Sequence, residues 1–231
     1  MLKEVSFKGY AVRLFVTFFG LVFAAYGVGL TVTAQLGVSP WDVFGQGVAL
    51  KLTEMLGVEV MMGTITMASA TAVIIIDVIL KEKIGVATIV DILVFGPALN
   101  FFLRHNMLPV PQGFAARLFC TVLGFMVWSL GIAIYMKTQL GAGPKDGLFM
   151  AFAKRKIPVA LAKNSIEAVV CLIGWIFGGT VGIGTLICVF AMGSMIDFFF
   201  KLLKFDVNTV QNESIIDTAR NIKQLCTKQK Q

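Results

Sequence analysis

Ionisable side chains stand inside apolar stretches of this sequence, and they are its first candidates for chemistry. Asp91 lies six residues into the stretch 85–104, and Lys163 and Glu167 lie one helical turn apart within 158–178. A charge inside a bilayer is costly, so such residues usually line a substrate or ion pathway, or pair with a neighbouring helix. We predict all three as substrate- or ion-binding residues. A pairing contact is the alternative for Asp91, and a local Lys163–Glu167 ion pair is the alternative for the other two.

An eight-residue turn occurs twice and adds two more carboxylates. Residues 35–42 read QLGVSPWD, and residues 139–146 read QLGAGPKD, 104 positions later. A Ser or Gly, then Pro, then an acid at the third helical position is typical of a helix N-terminus. Each turn therefore predicts the end of a long apolar helix and the start of a short one. The residues concerned are Gly37, Ser39, Pro40 and Asp42 in the first turn, and Gly141, Gly143, Pro144 and Asp146 in the second.

Asp42 and Asp146 have two interpretations. A carboxylate at the third helical position stabilises the helix whatever the protein does. In transporters built from inverted repeats, however, broken helix ends form the substrate site, where amides attract anions and bared carbonyls hold cations. We predict both aspartates, with Trp41, as substrate- or ion-binding residues. Trp41 against Lys145 is the main difference between the turns, and a membrane-interface anchor is the alternative for Trp41.

The repetition extends beyond the two turns. Eleven of the thirty positions in 13–42 are identical to their counterparts in 117–146. The likeness resumes with a shift of 97, which pairs Gly85, Thr88, Gly96, Phe101 and Phe102 with Gly182, Thr185, Gly193, Phe198 and Phe199. The chain therefore consists of two copies of one unit, and its function is expected from what the copies build together.

The composition is that of an integral membrane protein. The 231 residues are 57% hydrophobic and 14% charged, with a mean hydropathy of +0.84. Apolar windows close to the ~20 residues that a bilayer demands predict six transmembrane helices. They are 13–34, 60–80, 85–104, 115–136, 158–178 and 183–204. The net charge of +7 is expected to mark the cytoplasmic side rather than a nucleic-acid partner.

The two short helices decide the topology. The first, from Ser39 to about Leu52, covers about 21 Å of a hydrocarbon core of roughly 30 Å. The second soon meets the basic run 154–156. If both crossed, the copies would run parallel, with 16 rather than 17 of the 20 Lys and Arg residues inside. Charge hardly separates the two topologies, so we predict from length that both helices are re-entrant or interfacial.

The predicted fold is therefore an all-α membrane protein of six transmembrane helices. They form two inverted three-helix repeats, each with a short re-entrant or interfacial helix after its first span. The segments are a cytoplasmic lead-in at 1–12, repeats at 13–104 and 105–205, and a cytoplasmic tail at 206–231. The tail is either disordered or an interfacial amphipathic helix, with Ile215, Ala219, Ile222 and Cys226 on one face.

Enzyme and cofactor chemistry find little support in the sequence. The four cysteines are scattered, and His105 is the single histidine, so no metal-ligand spacing is present. There is no acidic motif for Mg²⁺ and a diphosphate, no Ser with a His to activate it, and no nucleotide-binding loop. We therefore expect no enzymatic activity, no metal and no cofactor.

The two LGxxPxD turns, together with IGWIFGGTVGIGTL at 173–186, resemble the YczE/YyaS/YitT group of bacterial integral membrane proteins, and most of all its YczE branch. The resemblance covers about residues 13–200. It implies a multi-pass protein of the bacterial inner membrane and carries no settled activity. The chain departs from the group at Lys163, where an arginine is expected, so the charge is kept without a bidentate contact.

Two classes of function are compatible with these observations. The first is a small secondary transporter or channel, with a site for a small molecule or an ion between the inverted repeats. The second is a non-transporting membrane subunit or scaffold for a partner complex. Ionisable residues within the spans favour the first. In both cases we expect contact with the lipid bilayer and cytoplasmic N- and C-termini, and association with a second copy or a membrane partner is compatible with both.

Overall fold

The computed structural model describes residues 7–141, 143–145, 148, 159–205 and 212–228. Within these ranges the chain forms eight α-helices and no strands. They are α1 (Phe7–Ala34), α2 (Pro40–Leu56), α3 (Met62–Ile79), α4 (Val86–Arg104), α5 (Phe114–Met136), α6 (Val159–Ile176), α7 (Ile183–Leu202) and α8 (Ile215–Lys228).

Five of the described helices are long and apolar enough to cross a membrane, namely α1, α3, α4, α5 and α7. Their outward faces carry large apolar side chains, such as Phe190 at 80% exposure, as expected for contact with lipid. The all-helical membrane architecture is thereby confirmed for the described part of the chain. Helix α6 coincides with the stretch 158–178, and its crossing of the membrane stays a prediction.

The helix boundaries differ most from the predicted ones at the start of α1 and at the end of α2. Helix α1 begins at Phe7 rather than at 13, because its added turns carry Tyr10, whose hydroxyl donates to the Glu213 carboxylate. Helix α2 runs on to Leu56 and ends on Gly57, which has φ +68°. At ~1.5 Å per residue its 17 residues cover about 26 Å.

Helices α1 and α5 pack against each other in antiparallel fashion at the centre of the protein. Gly20 lies against Gly131, and Gly27 lies against Gly124, so rising numbers on one helix meet falling numbers on the other. A Cβ on Gly27 would come within 2.6 Å of the Gly124 carbonyl oxygen. Small residues therefore let the two backbones approach closely, as is common between membrane helices.

Each repeated turn contacts the start of the last helix of the other copy. The Gly184 amide donates to the Leu36 carbonyl at 2.7 Å, and the Ala87 amide donates to the Leu140 carbonyl at 2.9 Å. These residues correspond under the shifts of 104 and 97, so one contact is made twice with the roles of the copies exchanged. The glycines follow the same rule, with Gly37 against Gly182 and Gly141 against Gly85.

The C-terminal helix α8 packs on the body of the protein. Its inward side carries Thr218, Ile222 and Leu225, and the last two contact a buried cluster that includes Tyr10. Of the face predicted for this segment, Ile222 is turned inward while Ile215 and Ala219 are exposed. The side chain of Cys226 lies outside the described residues.

Candidate functional site

The two turns meet through the pair of residues that distinguishes them. The Lys145 ammonium lies 4.7 Å from the centroid of the Trp41 ring, within the range of a cation–π contact. The Trp41 indole N–H is buried and has no hydrogen-bond acceptor among the described residues. This contact thus brings together a cation, an aromatic face and a buried indole donor.

Asp42 lies at the start of α2, where the predicted helix cap is present. The Ser39 hydroxyl donates to the Asp42 carboxylate and accepts from the Asp42 amide at 3.3 Å. The carboxylate is almost fully buried, with the residue 3% exposed. Lys145 is also close enough to act electrostatically on this carboxylate. Asp42 therefore combines a capping role with a place beside the charge contributed by the second turn.

Helix α6 contributes a further pair of charged side chains, Lys163 and Glu167. The Lys163 ammonium lies 3.9 Å from the Glu167 carboxylate, so the local ion pair that is the alternative interpretation of these residues is present, and their role in binding stays a prediction. The Glu167 side chain is 18% exposed and the Lys163 side chain 47%. Lys145 lies in the neighbourhood of the Glu167 carboxylate as well as of the Asp42 carboxylate.

Cys188 on α7 lies within reach of the same charges. Asp42, Glu167, Lys145 and Lys163 all lie in the neighbourhood of its thiol, and the residue is buried. The structure thus gathers Asp42, Glu167, Lys163 and Trp41, which the sequence predicts, with Lys145 and Cys188. Both additions were visible in the repeat, because Lys145 corresponds to Trp41 and Cys188 corresponds to Asp91.

The two remaining residues that the sequence predicts for the site are Asp91 and Asp146. Asp91 is half-buried on α4, at the position that the repeat relates to Cys188. Asp91 therefore has the position in the first copy that Cys188 has in the second. Asp146 lies outside the described residues. The second turn is described through Gly141 with φ +131°, and through Gly143, Pro144 and Lys145.

Close backbone packing holds α2 beside α6. A Cβ on Gly174 would collide with the backbone of Phe44, and one on Gly47 would collide with the Gly174 carbonyl. The Gln46 side chain accepts from the Thr180 amide at 3.0 Å, which ties α2 to the turn after α6. Gly174 thus permits a close approach of the two helices, whereas Gly178 has φ +97° and lies in the turn after α6.

Comparisons with known proteins give relatives along most of the chain. The sequence profile of a family of unknown function (DUF6198) matches residues 11–201. The chain is 31% identical over 186 residues to an uncharacterized protein of Haemophilus influenzae, covering 80% of this chain and 82% of that one. It is 27% identical over 183 residues to the uncharacterized membrane protein YczE of Bacillus subtilis, covering 78% and 82%. It is also 27% identical over 190 residues to the uncharacterized protein YyaS of the same organism, covering 80% and 90%.

No solved structure matches the chain. The predicted resemblance of the chain to the YczE and YyaS group is confirmed by these relatives.

Proposed function

Since the chain belongs to this family of unknown function (DUF6198), we propose from its own geometry that it is a small secondary transporter or channel. Its substrate site lies where the two turns meet, at the interface of two inverted repeats. The observation that carries the proposal is the contact between Lys145 and Trp41, beside the buried Asp42. Its role is to bind and move a solute, without a reaction of its own.

The inverted arrangement is supported by the packing of α1 and α5. These helices are equivalent in the repeat and antiparallel in the structure, so if both cross the membrane they enter it from opposite sides. The exchanged hydrogen bonds of Leu36 and Leu140 are what a two-fold axis between the copies produces. Helix α6 then supplies the sixth span. Helix α2, which carries Lys51 and Glu54 in its second half, is re-entrant or interfacial.

The substrate site is supported by the charges that the helices gather. Lys145 and Lys163 lie near Asp42 and Glu167, and such groups within membrane helices usually serve a substrate or ion pathway. Inverted-repeat transporters place this kind of cluster at the ends of broken helices. The solute that fits is small and polar, with an oxygen that accepts from the Trp41 indole.

The orientation is proposed from the basic residues. Lys8, Lys83 and Lys137 lie at or beside the end of the bundle that carries both described chain ends, and Arg104 and Arg117 lie at the other. Loops rich in Lys and Arg are retained in the cytoplasm. Both termini are therefore cytoplasmic in the proposed topology. The protein itself lies in the inner membrane of a bacterial cell.

Topology and transport call for separate experiments. Single cysteines at the exposed positions Lys8, Glu59, Lys83 and Val110, in a chain freed of its native cysteines, are labelled with an impermeant thiol reagent in oriented vesicles. The inverted arrangement predicts that Lys8 and Lys83 share one side, while Glu59 and Val110 share the other. Parallel copies would instead put Lys8 with Glu59. That second pattern would refute the inverted repeats.

Transport is tested with the purified protein alone. Its melting temperature is screened with amino acids, carboxylates and inorganic ions, since a ligand that binds the folded state stabilises it. Each stabilising solute is then followed into liposomes under a proton or sodium gradient. We expect solute movement above that of protein-free liposomes, and its loss in Trp41→Phe. Absence of any flux, with one partner protein co-purifying reproducibly, would instead favour the subunit or scaffold.

A further inference from the structure

The C-terminal segment 212–228 lies outside the part of the chain that the family profile matches, which ends at 201. It is nevertheless held by specific polar contacts. Glu213 is buried, with its side chain 2% exposed, at the end of the bundle where α1 begins. We call this end the terminal face and define it by Tyr10, Ile84 and Gln139.

Glu213 is the centre of these contacts. Its carboxylate accepts from the Tyr10 hydroxyl at 2.9 Å, from the Arg13 guanidinium at 3.1 Å and from the Thr218 hydroxyl at 3.0 Å. The Tyr10 hydroxyl in turn accepts from the Asn221 amide at 3.1 Å. A buried carboxylate needs such partners, because an uncompensated buried charge is strongly destabilising. The tail and the start of α1 are therefore joined by a satisfied network.

Two backbone hydrogen bonds extend the connection to both copies. The Glu213 amide donates to the Gln139 carbonyl at 2.9 Å, at the entry to the second turn. The Ile215 amide donates to the Ile84 carbonyl at 2.9 Å, just before α4. Ile222 and Leu225 then pack over the cluster that contains Ala87 and Leu140. One segment thus connects α1, the entry to α4 and the second turn.

We propose that residues 212–225 are a latch that closes the terminal face, and that its release exposes the second turn from that side. The covered residues are those that make the exchanged contact between the copies, since the Ala87 amide bonds to the Leu140 carbonyl. A protein that opens alternately between its repeats has to separate such groups, and the tail fixes them together. The contacts that hold the latch on the terminal face belong to this fold. The role of the latch in gating rests on the proposed transport function.

The test measures access to the covered residues in the full-length protein. A single cysteine is placed at Ala87, which is 1% exposed beneath the latch, in a chain without native cysteines. A second reporter at Ala34, also buried, lies at the far end of α1. Both are labelled with a water-soluble maleimide in Glu213→Gln, in Arg13→Gln and in the control Arg220→Gln, which removes an exposed charge from the same tail.

The latch predicts faster labelling at Ala87→Cys in Glu213→Gln and Arg13→Gln. The acceleration should be roughly tenfold, as expected from the loss of a hydrogen bond between charged groups. Labelling at Ala34→Cys, and at both reporters in Arg220→Gln, should stay at the wild-type rate. Unchanged labelling at Ala87→Cys would overturn the latch. Equal acceleration at both reporters would overturn it as well, because Glu213 would then support the whole fold. Neither labelling rate depends on a substrate. The latch can therefore be confirmed or refuted whether or not the flux measurements support transport.

Discussion

The Lys145 ammonium lies 4.7 Å from the centroid of the Trp41 ring, so two equivalent positions of the repeat touch each other. Residues that contact their own counterparts lie on or beside the axis that relates two copies. Two lysines there would repel each other, whereas a lysine over an indole is attractive. The replacement of one lysine by tryptophan therefore turns a repulsive pair of positions into an attractive one, and the two copies differ at the point where they meet.

Trp41→Phe should separate the two properties of this tryptophan. Phenylalanine keeps an aromatic face for Lys145 but lacks the indole N–H, and the N–H has no acceptor among the described residues. The melting temperature should therefore stay near that of the wild type, while stabilisation by an added solute is lost. Trp41→Leu should also lower the melting temperature, since a cation–π contact contributes about 0.5–2 kcal/mol.

The control for this pair is Trp175→Phe, because Trp175 is 61% exposed on α6. It should melt like the wild type and respond to the same solutes. If Trp41→Phe keeps the full response to solutes, the indole N–H is not a ligand contact.

Gly27→Ala should destabilise the central pair of helices. A methyl group there meets the backbone of Trp128 and the carbonyl of Gly124, and neither can move without displacing α5. Overpacking of this kind costs about 1–3 kcal/mol. Gly193→Ala is the matched control, since a Cβ at Gly193 on α7 has no atom within 4 Å. Denaturation in a mild detergent should rank Gly27→Ala well below Gly193→Ala, and equal stabilities would contradict the close packing of α1 and α5.

The sequence predicts those features whose causes are local. Ser39, Pro40 and Asp42 specify a helix start by themselves, and the structure has the helix and its cap at that place. The predicted start of α1 is wrong because Tyr10, in the added turns, bonds to Glu213, which is 203 residues away in the sequence. The contact of Trp41 with Lys145 is also non-local. It follows from the placement of the two copies against each other, which a pattern along one chain does not contain.

Asp91→Asn should abolish ion-coupled transport without unfolding the protein. Asparagine keeps the shape of the side chain and removes its charge, and the equivalent position in the second copy is the uncharged Cys188. The repeat therefore tolerates a neutral residue there. The measurement is flux of a stabilising solute with and without a proton gradient, beside a melting curve. Unchanged coupled flux would remove Asp91 from the mechanism, and loss of folding would show that it is a structural contact between helices.

Asp217 should make the tail helix sensitive to acid. Hydrogen bonds from the Ser214 hydroxyl and backbone amide lower the pKa of Asp217 below its ordinary value of 3.8. A carboxylate whose folded pKa is depressed contributes stability above its unfolded pKa and loses it as pH falls through the folded one. Protection of the α8 amides from hydrogen exchange should therefore exceed that of Asp217→Asn at pH 6.

This difference should shrink as the pH falls below about 4, where the aspartate of the unfolded tail is already protonated. Comparing the two proteins at each pH cancels the contributions of the other carboxylates, including Glu213, because these are present in both. Ser214→Ala is the complementary variant, since it removes the hydroxyl that donates to the Asp217 carboxylate at 2.6 Å. Ser214→Ala should lower the protection of the α8 amides at pH 6. As the pH falls, that protection should change less than it does in the wild type. A difference between the wild type and Asp217→Asn that persists undiminished at pH 3 would mean that Asp217 acts on the tail by packing and not by its charge.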